Sequence, residues 1–257
     1  MTEPAGGTVS FTTPPPAFER TPTGAVVGPD MGVAATVTTS DGTQRKMPEL
    51  LSPGEAQRKR RLQRKVARQK KGSGRRARTK HQIATLAARE TDRRKDWIEQ
   101  ITTTLVRDYD VICREDLPVK NMIRSAKGTV ENPGKRVRQK AGLNRSISSQ
   151  AWALFRQRLT DKAANSTSPV ELVAVNPAYT SQRCSECGYT ASENRESQAV
   201  FCCQSCGYST NADVNAAINI RAAGLAVTGR GGTPHAKPEM AQHSGPTKRQ
   251  PPCLVAA

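Results

Sequence analysis

Four cysteines constrain this chain more than any other feature. They fall as Cys184-x2-Cys187 and Cys203-x2-Cys206, with fifteen residues between the pairs. This spacing lets two knuckles each donate two thiolates to one tetrahedral zinc ion. Gly188 and Gly207 follow the second cysteine of each pair and supply the permissive backbone that turns amides toward sulfur. A redox dithiol and buried structural cysteines are weaker readings. Cys202 adjoins Cys203, but only Cys203 gives the matching two-residue gap. Cys113 lies in an apolar stretch and reads as core, and Cys253 lies in a Pro- and Gln-rich tail.

The charge narrows the partners. Lys and Arg number 40 against 22 Asp and Glu, for a formal net charge of +18 at pH 7. Such an excess favours a polyanion, because each neutralised phosphate releases counterions. It is concentrated in Arg58–Lys80, where 13 basic residues and no acid occur in 23 positions. On a helical hairpin this segment would make phosphate contacts without base specificity. No run of 18 apolar residues exists, which excludes a helical membrane span, and the N-terminus lacks a signal-peptide pattern. A cytoplasmic location is expected.

Periodicity predicts an α/β domain with an insertion. "AVVG" and "VAATVTT" read as short strands between Thr23 and Gly42. Ser52 and Pro53 open a helix, and "GSG" at Gly72–Gly74 splits the region to about Asp108 into a hairpin. Leu62 and Val66 mark its first arm; Ile83, Leu86, Trp97, Ile101 and Leu105 form a stripe on the second. A strand follows at Tyr109–Leu117, then a basic loop from Pro118 to about Arg145. One helix is expected over "SISSQAWALFRQRLTDKAA", with Trp152, Phe155, Leu159 and Ala163 on one face. "VELVAV" is a further strand. The last helix runs from Ala212 to about Ala223, with Asn211 as cap and Gly224 as stop. The chain from Ala226 onward has little to bury and reads as disordered.

Three carboxylates stand at element ends: Asp30, Glu115 and Asp213. Each alone is unremarkable, since acids at helix starts are favoured by the dipole. Together they can converge and hold two Mg²⁺ ions for phosphodiester hydrolysis.

"VVGPDMGV", "VICREDLPVKNM" and "NPAYTSQRCSECGYTASENRESQAVFCCQSCGYSTNADVNAAINI" resemble, in order and spacing, the RuvC-like nuclease domain of TnpB-type proteins. These are transposon-encoded RNA-guided DNA endonucleases related to type V CRISPR effectors. The resemblance covers roughly Gly24 to Gly224 and implies an RNase H-like fold with an inserted helical hairpin and zinc ribbon. It matches Asp30, Glu115 and Asp213 to the three catalytic acids that hold Mg²⁺. Cys184, Cys187, Cys203 and Cys206 match the structural zinc ligands, and Arg195 and Gln198 match an "NR-x-SQ" segment to which no role is attached. DNA and a guide RNA are the implied partners.

The implied organisation is residues 1–23 as the remnant of a wedge-like domain, 24–225 as the nuclease domain with a ribbon at about 180–209, and 226–257 as a tail. Two departures stand out. Pro29 precedes Asp30 where the family has an apolar residue, removing a ladder donor from an expected central strand. The recognition and wedge-like domains that precede this nuclease in the family have only about 23 residues to occupy here, so a truncated member is expected. The alternative function is a catalytically inactive zinc-ribbon remnant that retains nucleic-acid binding. A ribbon-type transcription regulator would have no need of the acid-bearing strands.

Overall fold

The computed structural model describes residues 17–229. The proposed N-terminal remnant before residue 17 and the tail beyond residue 229 lie outside the described residues.

Four short strands come first: β1 (Val26–Val27), β2 (Pro29–Asp30), β3 (Val37–Thr39) and β4 (Gln44–Arg45). A helical hairpin follows, α1 (Pro53–Arg68) and α2 (Gly74–Asp108), and then β5 (Val111–Glu115). Next are α3 (Val119–Met122), α4 (Val137–Gln150), α5 (Trp152–Ala164) and β6 (Glu171–Val175). A small hairpin, β7 (Val200–Cys202) and β8 (Ser209–Asn211), leads into α6 (Ala212–Val227).

β1 and β6 flank β5 in a parallel ladder, while β2, β3 and β4 form an antiparallel one. Only Gly28 separates β1 from β2, so the two ladders share one stretch of chain. This arrangement accommodates Pro29. The Gly28 carbonyl accepts from Ser40 N–H on the β3 side. Alternation then turns the donorless Pro29 nitrogen toward β5, where the ladder has already ended at the Val27–Ile112 pair.

The mixed sheet carries helices on both faces. Val27, Val37, Ile112 and the α2 residues Ile98, Ile101, Leu105 and Val106 pack with Phe155 and Leu159 of α5 on one face. Val111, Cys113, Val173 and Val175 meet Ile220 of α6 on the other. The swap of faces between Ile112 and its neighbours is the two-residue period of a strand buried on both sides.

Several boundaries differ from the expected ones. Ser52 does cap α1, in a reciprocal box with Glu55, and Ser73 caps α2. The expected single helix through Trp152 is broken at Ala151, which adopts a φ of 53°. Its N-terminal part, α4, begins inside the stretch expected to be a loop. The four apolar residues predicted for its second part are all buried in α5. Gly224 does not stop the last helix, which continues to Val227 and so takes in the first two residues assigned to the tail. A Cβ at Gly224 would lie 2.2 Å from Cys113 Sγ. The glycine is a seat for β5, not a terminator.

Candidate active site and metal centre

The sulfurs of the two cysteine pairs come together. All four lie within 4.8 Å of one another, with Cys184 Sγ 3.7 Å from Cys206 Sγ and Cys187 Sγ 3.6 Å from Cys203 Sγ. These separations are far too long for disulfides. A tetrahedron with metal–sulfur bonds of about 2.3 Å has sulfur–sulfur edges of about 3.8 Å, so the group fits zinc. Each knuckle is the same turn. Gly188 N–H donates to Cys184 O and Gly207 N–H to Cys203 O, with φ of 77° and 75° at the two glycines. Burial, with the surrounding thiols, pushes the Cys187 thiol up to about 12, a crowding that a bound cation would relieve.

The knuckles are tied to each other and to α6 by buried asparagines. Asn194 is fully buried; its amide donates to Gln182 O and Tyr189 O, and its carbonyl accepts from Gln204 N–H. Asn215 donates to Arg183 O and accepts from Ser185 N–H, while Asn219 donates to Thr180 O and Arg183 O. These two lie four residues apart on one face of α6 and clip the first knuckle's approach to the helix.

Asp213 stands in the first turn of that helix, where Asn211 accepts from the N–H groups of Asp213 and Val214. The helix itself sits directly on the sheet. A Cβ at Gly28 would lie 2.4 Å from Ala217 O, so only glycine allows this approach of α6 to the strand bearing Asp30. Asp30 ends β2 and Glu115 ends β5.

At this end of the sheet Asp30 lies within electrostatic reach of both Glu115 and Asp213. Burial, then the charges of Glu115 and Asp213, lifts the Asp30 carboxyl to about 7; Arg195 and the Met31 N–H pull the other way. Glu115 is also raised by burial, against a 2.6 Å hydrogen bond from the Thr180 hydroxyl. Asp213 is raised by burial and held down by Arg195, whose Nη2 lies 3.3 Å from Asp213 Oδ1. Sequence pattern alone does not single out Thr180 or the asparagine pair. The asparagines did leave a signal, two amides at helical spacing in the otherwise apolar "VNAAINI".

Residues 9–126 match a family described as a probable transposase (OrfB_IS605), and residues 152–220 match the Cas12f1-like TNB domain. A protein of Escherichia coli strain K12 named "Putative RNA-guided DNA endonuclease InsQ" is 43% identical over 238 residues, which are 92% of this chain and 56% of that protein. The chain belongs to the TnpB family. A second relative, from Streptomyces pristinaespiralis and also bearing the name of an RNA-guided DNA endonuclease, is 34% identical over 85% of this chain and 49% of its own length. This TnpB-type chain thus spans about half the length of these two relatives. Its fold is similar to that of Cas12f1 in a complex with guide RNA and target DNA, at a TM-score of 0.53 and 17% identity over 80% of this chain and 40% of that one. No helix among the described residues is long and apolar enough to cross a membrane.

Proposed function

We propose that this chain cuts DNA phosphodiester bonds as a RuvC-like nuclease within an RNA-guided system, using Asp30, Glu115 and Asp213 as ligands for two divalent metal ions. One observation carries the reading. Asp30, at the end of one strand, is partly buried within electrostatic reach of Glu115 on a second strand and Asp213 on a helix, and burial raises all three carboxyls inside a strongly basic protein. Carboxylates so placed hold cations. When bound, Mg²⁺ would activate a water and stabilise the leaving oxygen.

The chain's own residues supply the arrangement. β2 and β5 aim Asp30 and Glu115 from the sheet, and Thr180 orients the Glu115 carboxylate. Arg195 holds Asp213 and adds positive charge beside the site, where it suits a phosphate. In this reading the ribbon, about residues 180–209, is an insertion between β6 and α6 within the nuclease domain. Zinc held by Cys184, Cys187, Cys203 and Cys206 fixes its shape, and the asparagine clips pass that shape to Asp213. The names of the relatives bring target DNA and a guide RNA as partners.

The test is cleavage of single-stranded and duplex DNA, with and without RNA, beside Asp213→Ala. Cleavage should require Mg²⁺ or Mn²⁺ and fall at least about a hundredfold in the variant. Full-rate cutting by Asp213→Ala would remove this site from the reaction. Metal analysis should find about one zinc per chain, lost in Cys203→Ser together with the fold of the ribbon.

A further inference from the structure

The α1–α2 hairpin has a charge distribution that the carboxylate site does not use. Residues 56–89 contain 14 Lys and Arg and no Asp or Glu. The acids of the hairpin sit at its root: Glu55 pairs with Arg89 and Arg93, and Glu90 with Lys59 and Arg94. Beyond that root the arm is held by few buried residues, chiefly Leu62, Thr79 and Leu86. Arg76 is used structurally, donating to the Val66 and Gln69 carbonyls at the end of α1. Arg60, Arg61, Arg64, Arg75 and Arg78 are exposed, and none has an ion-pair partner among the described residues.

The direction of the arm follows from the topology. α2 ends at Asp108 and β5 begins at Val111, so the helix runs back along the sheet antiparallel to β5. Its Ile98–Val106 stretch covers the sheet, which places the residues before about 95 beyond the end that carries Glu115. β4 leaves the sheet at that same end, and Arg93 holds the connection through the Leu50 carbonyl. From Gly74 to Arg93 the arm is about 30 Å long, at about 1.5 Å per residue. That is close to one turn of duplex DNA, about 34 Å.

We propose that this arm is a backbone-binding strut for double-stranded DNA continuous with the strand that reaches the carboxylates. The proposal rests on the nuclease reading of that site, since it is the shared end of the sheet that makes the arm's partner the DNA being cut. The free guanidinium groups match phosphates in charge and geometry, and their spread along two helices reads backbone, not sequence.

The experiment uses the full chain without added Mg²⁺, so that binding is measured whether or not the protein cuts. A DNA carrying a single-stranded segment joined to a duplex is bound by the wild type and by a variant with Arg60, Arg61, Arg64, Arg75 and Arg78 all changed to Gln. Hydroxyl-radical protection should cover about one turn of the duplex in the wild type and vanish there in the variant, while protection of the single strand persists. The dependence of log affinity on log salt should flatten by about 4.5 in the variant, at about 0.9 for each of the five phosphates that is no longer neutralised. The same five positions changed to Lys should restore most duplex binding, and an unchanged melting temperature in both variants confirms an intact fold. An unchanged salt slope and duplex footprint would overturn the proposal. So would a Gln variant that loses an RNA hairpin but keeps duplex DNA. Duplex protection by a wild type that cuts nothing under any metal would leave the strut standing and refute the nuclease reading instead.

Discussion

The two ends of the sheet both carry carboxylates, and they are treated in opposite ways. At the end where β5 begins, Asp110 pairs with the buried Arg20 guanidinium and accepts from the N–H groups of Thr23 and Gly24, which hold its carboxyl at about 2. Asp41, in the turn between β3 and β4, accepts from the Thr39 and Tyr109 hydroxyls and the Thr43 N–H. Burial raises it less than these donors lower it, and it too stands at about 2. At the other end Asp30 rises to about 7, and Glu115 and Asp213 are raised as well. The difference is in the supply of donors. Acids that hold the fold together are surrounded by N–H and O–H groups, whereas burial outweighs the few donors at Asp30, Glu115 and Asp213.

That contrast predicts opposite signs for the same chemical change. Asp30→Asn should stabilise the folded chain in metal-free buffer at pH 8 by about 2–4 kcal/mol, because it removes an ionised group that burial and two neighbours oppose. The sign is set by the pKa being raised. Between about pH 4 and 7 the folded chain holds a proton that the unfolded chain has lost, so stability falls as pH rises through that window. Added Mg²⁺ should stabilise the wild type and not the variant. Chemical denaturation at pH 5 and pH 8 reads both effects, and a variant less stable than the wild type at pH 8 breaks the comparison.

Asp110→Asn should act in the other direction by a smaller amount, a loss of about 1–3 kcal/mol. It leaves the Arg20 guanidinium, whose side chain is 0% exposed, without its charge partner. Residues 17–23 are held to the domain by this pair and by Phe18, whose N–H donates to Asn165 O and whose carbonyl accepts from Thr167 N–H. Faster proteolysis within that segment, with the rest of the chain intact, is the local signature to look for.

How much of this was legible beforehand depended on whether a residue's signal was local. The cysteine spacing, the Ser52 cap and the stripe on α2 are local patterns, and each appears where the pattern put it. The α/β class followed from the same periodicities. Gly224 reads as a stop in the sequence because a glycine near a helix end has two meanings. Whether it stops the helix or admits a neighbour depends on Cys113, which is distant in sequence. Pro29 looked intolerable for the same reason: only the topology shows that its missing donor falls past the end of a ladder. Ala151, with positive φ and no glycine to advertise it, gave no warning of the break between α4 and α5. The donors that separate Asp110 from Asp30 are also tertiary, whereas two of the three around Asp41, Thr39 and Thr43, are its neighbours in the turn and only Tyr109 is distant.

The smallest effect belongs to Asp41. Its carboxyl is lowered from 3.8 to about 2 in the folded chain, so the stabilisation is fully present above about pH 4 and is lost as pH falls toward 2. Because the residue is exposed, water screens the interaction and the contribution should be about 0.5–1 kcal/mol, well below what the shift alone would convert to. Tyr109 is the complementary partner: burial and the bond from its hydroxyl to Asp41 push its own pKa up to about 12. Tyr109→Phe should therefore remove part of the same stabilisation while keeping the ring's packing. Many carboxylates titrate in this range, so the useful quantity is the stability difference between the wild type and Asp41→Asn, followed from pH 5 to pH 2. That difference should shrink over the interval. If it stays constant, the Asp41 contacts are worth the same with a neutral acid, and the donors at this end of the sheet would be packing partners, with no role as charge stabilisers.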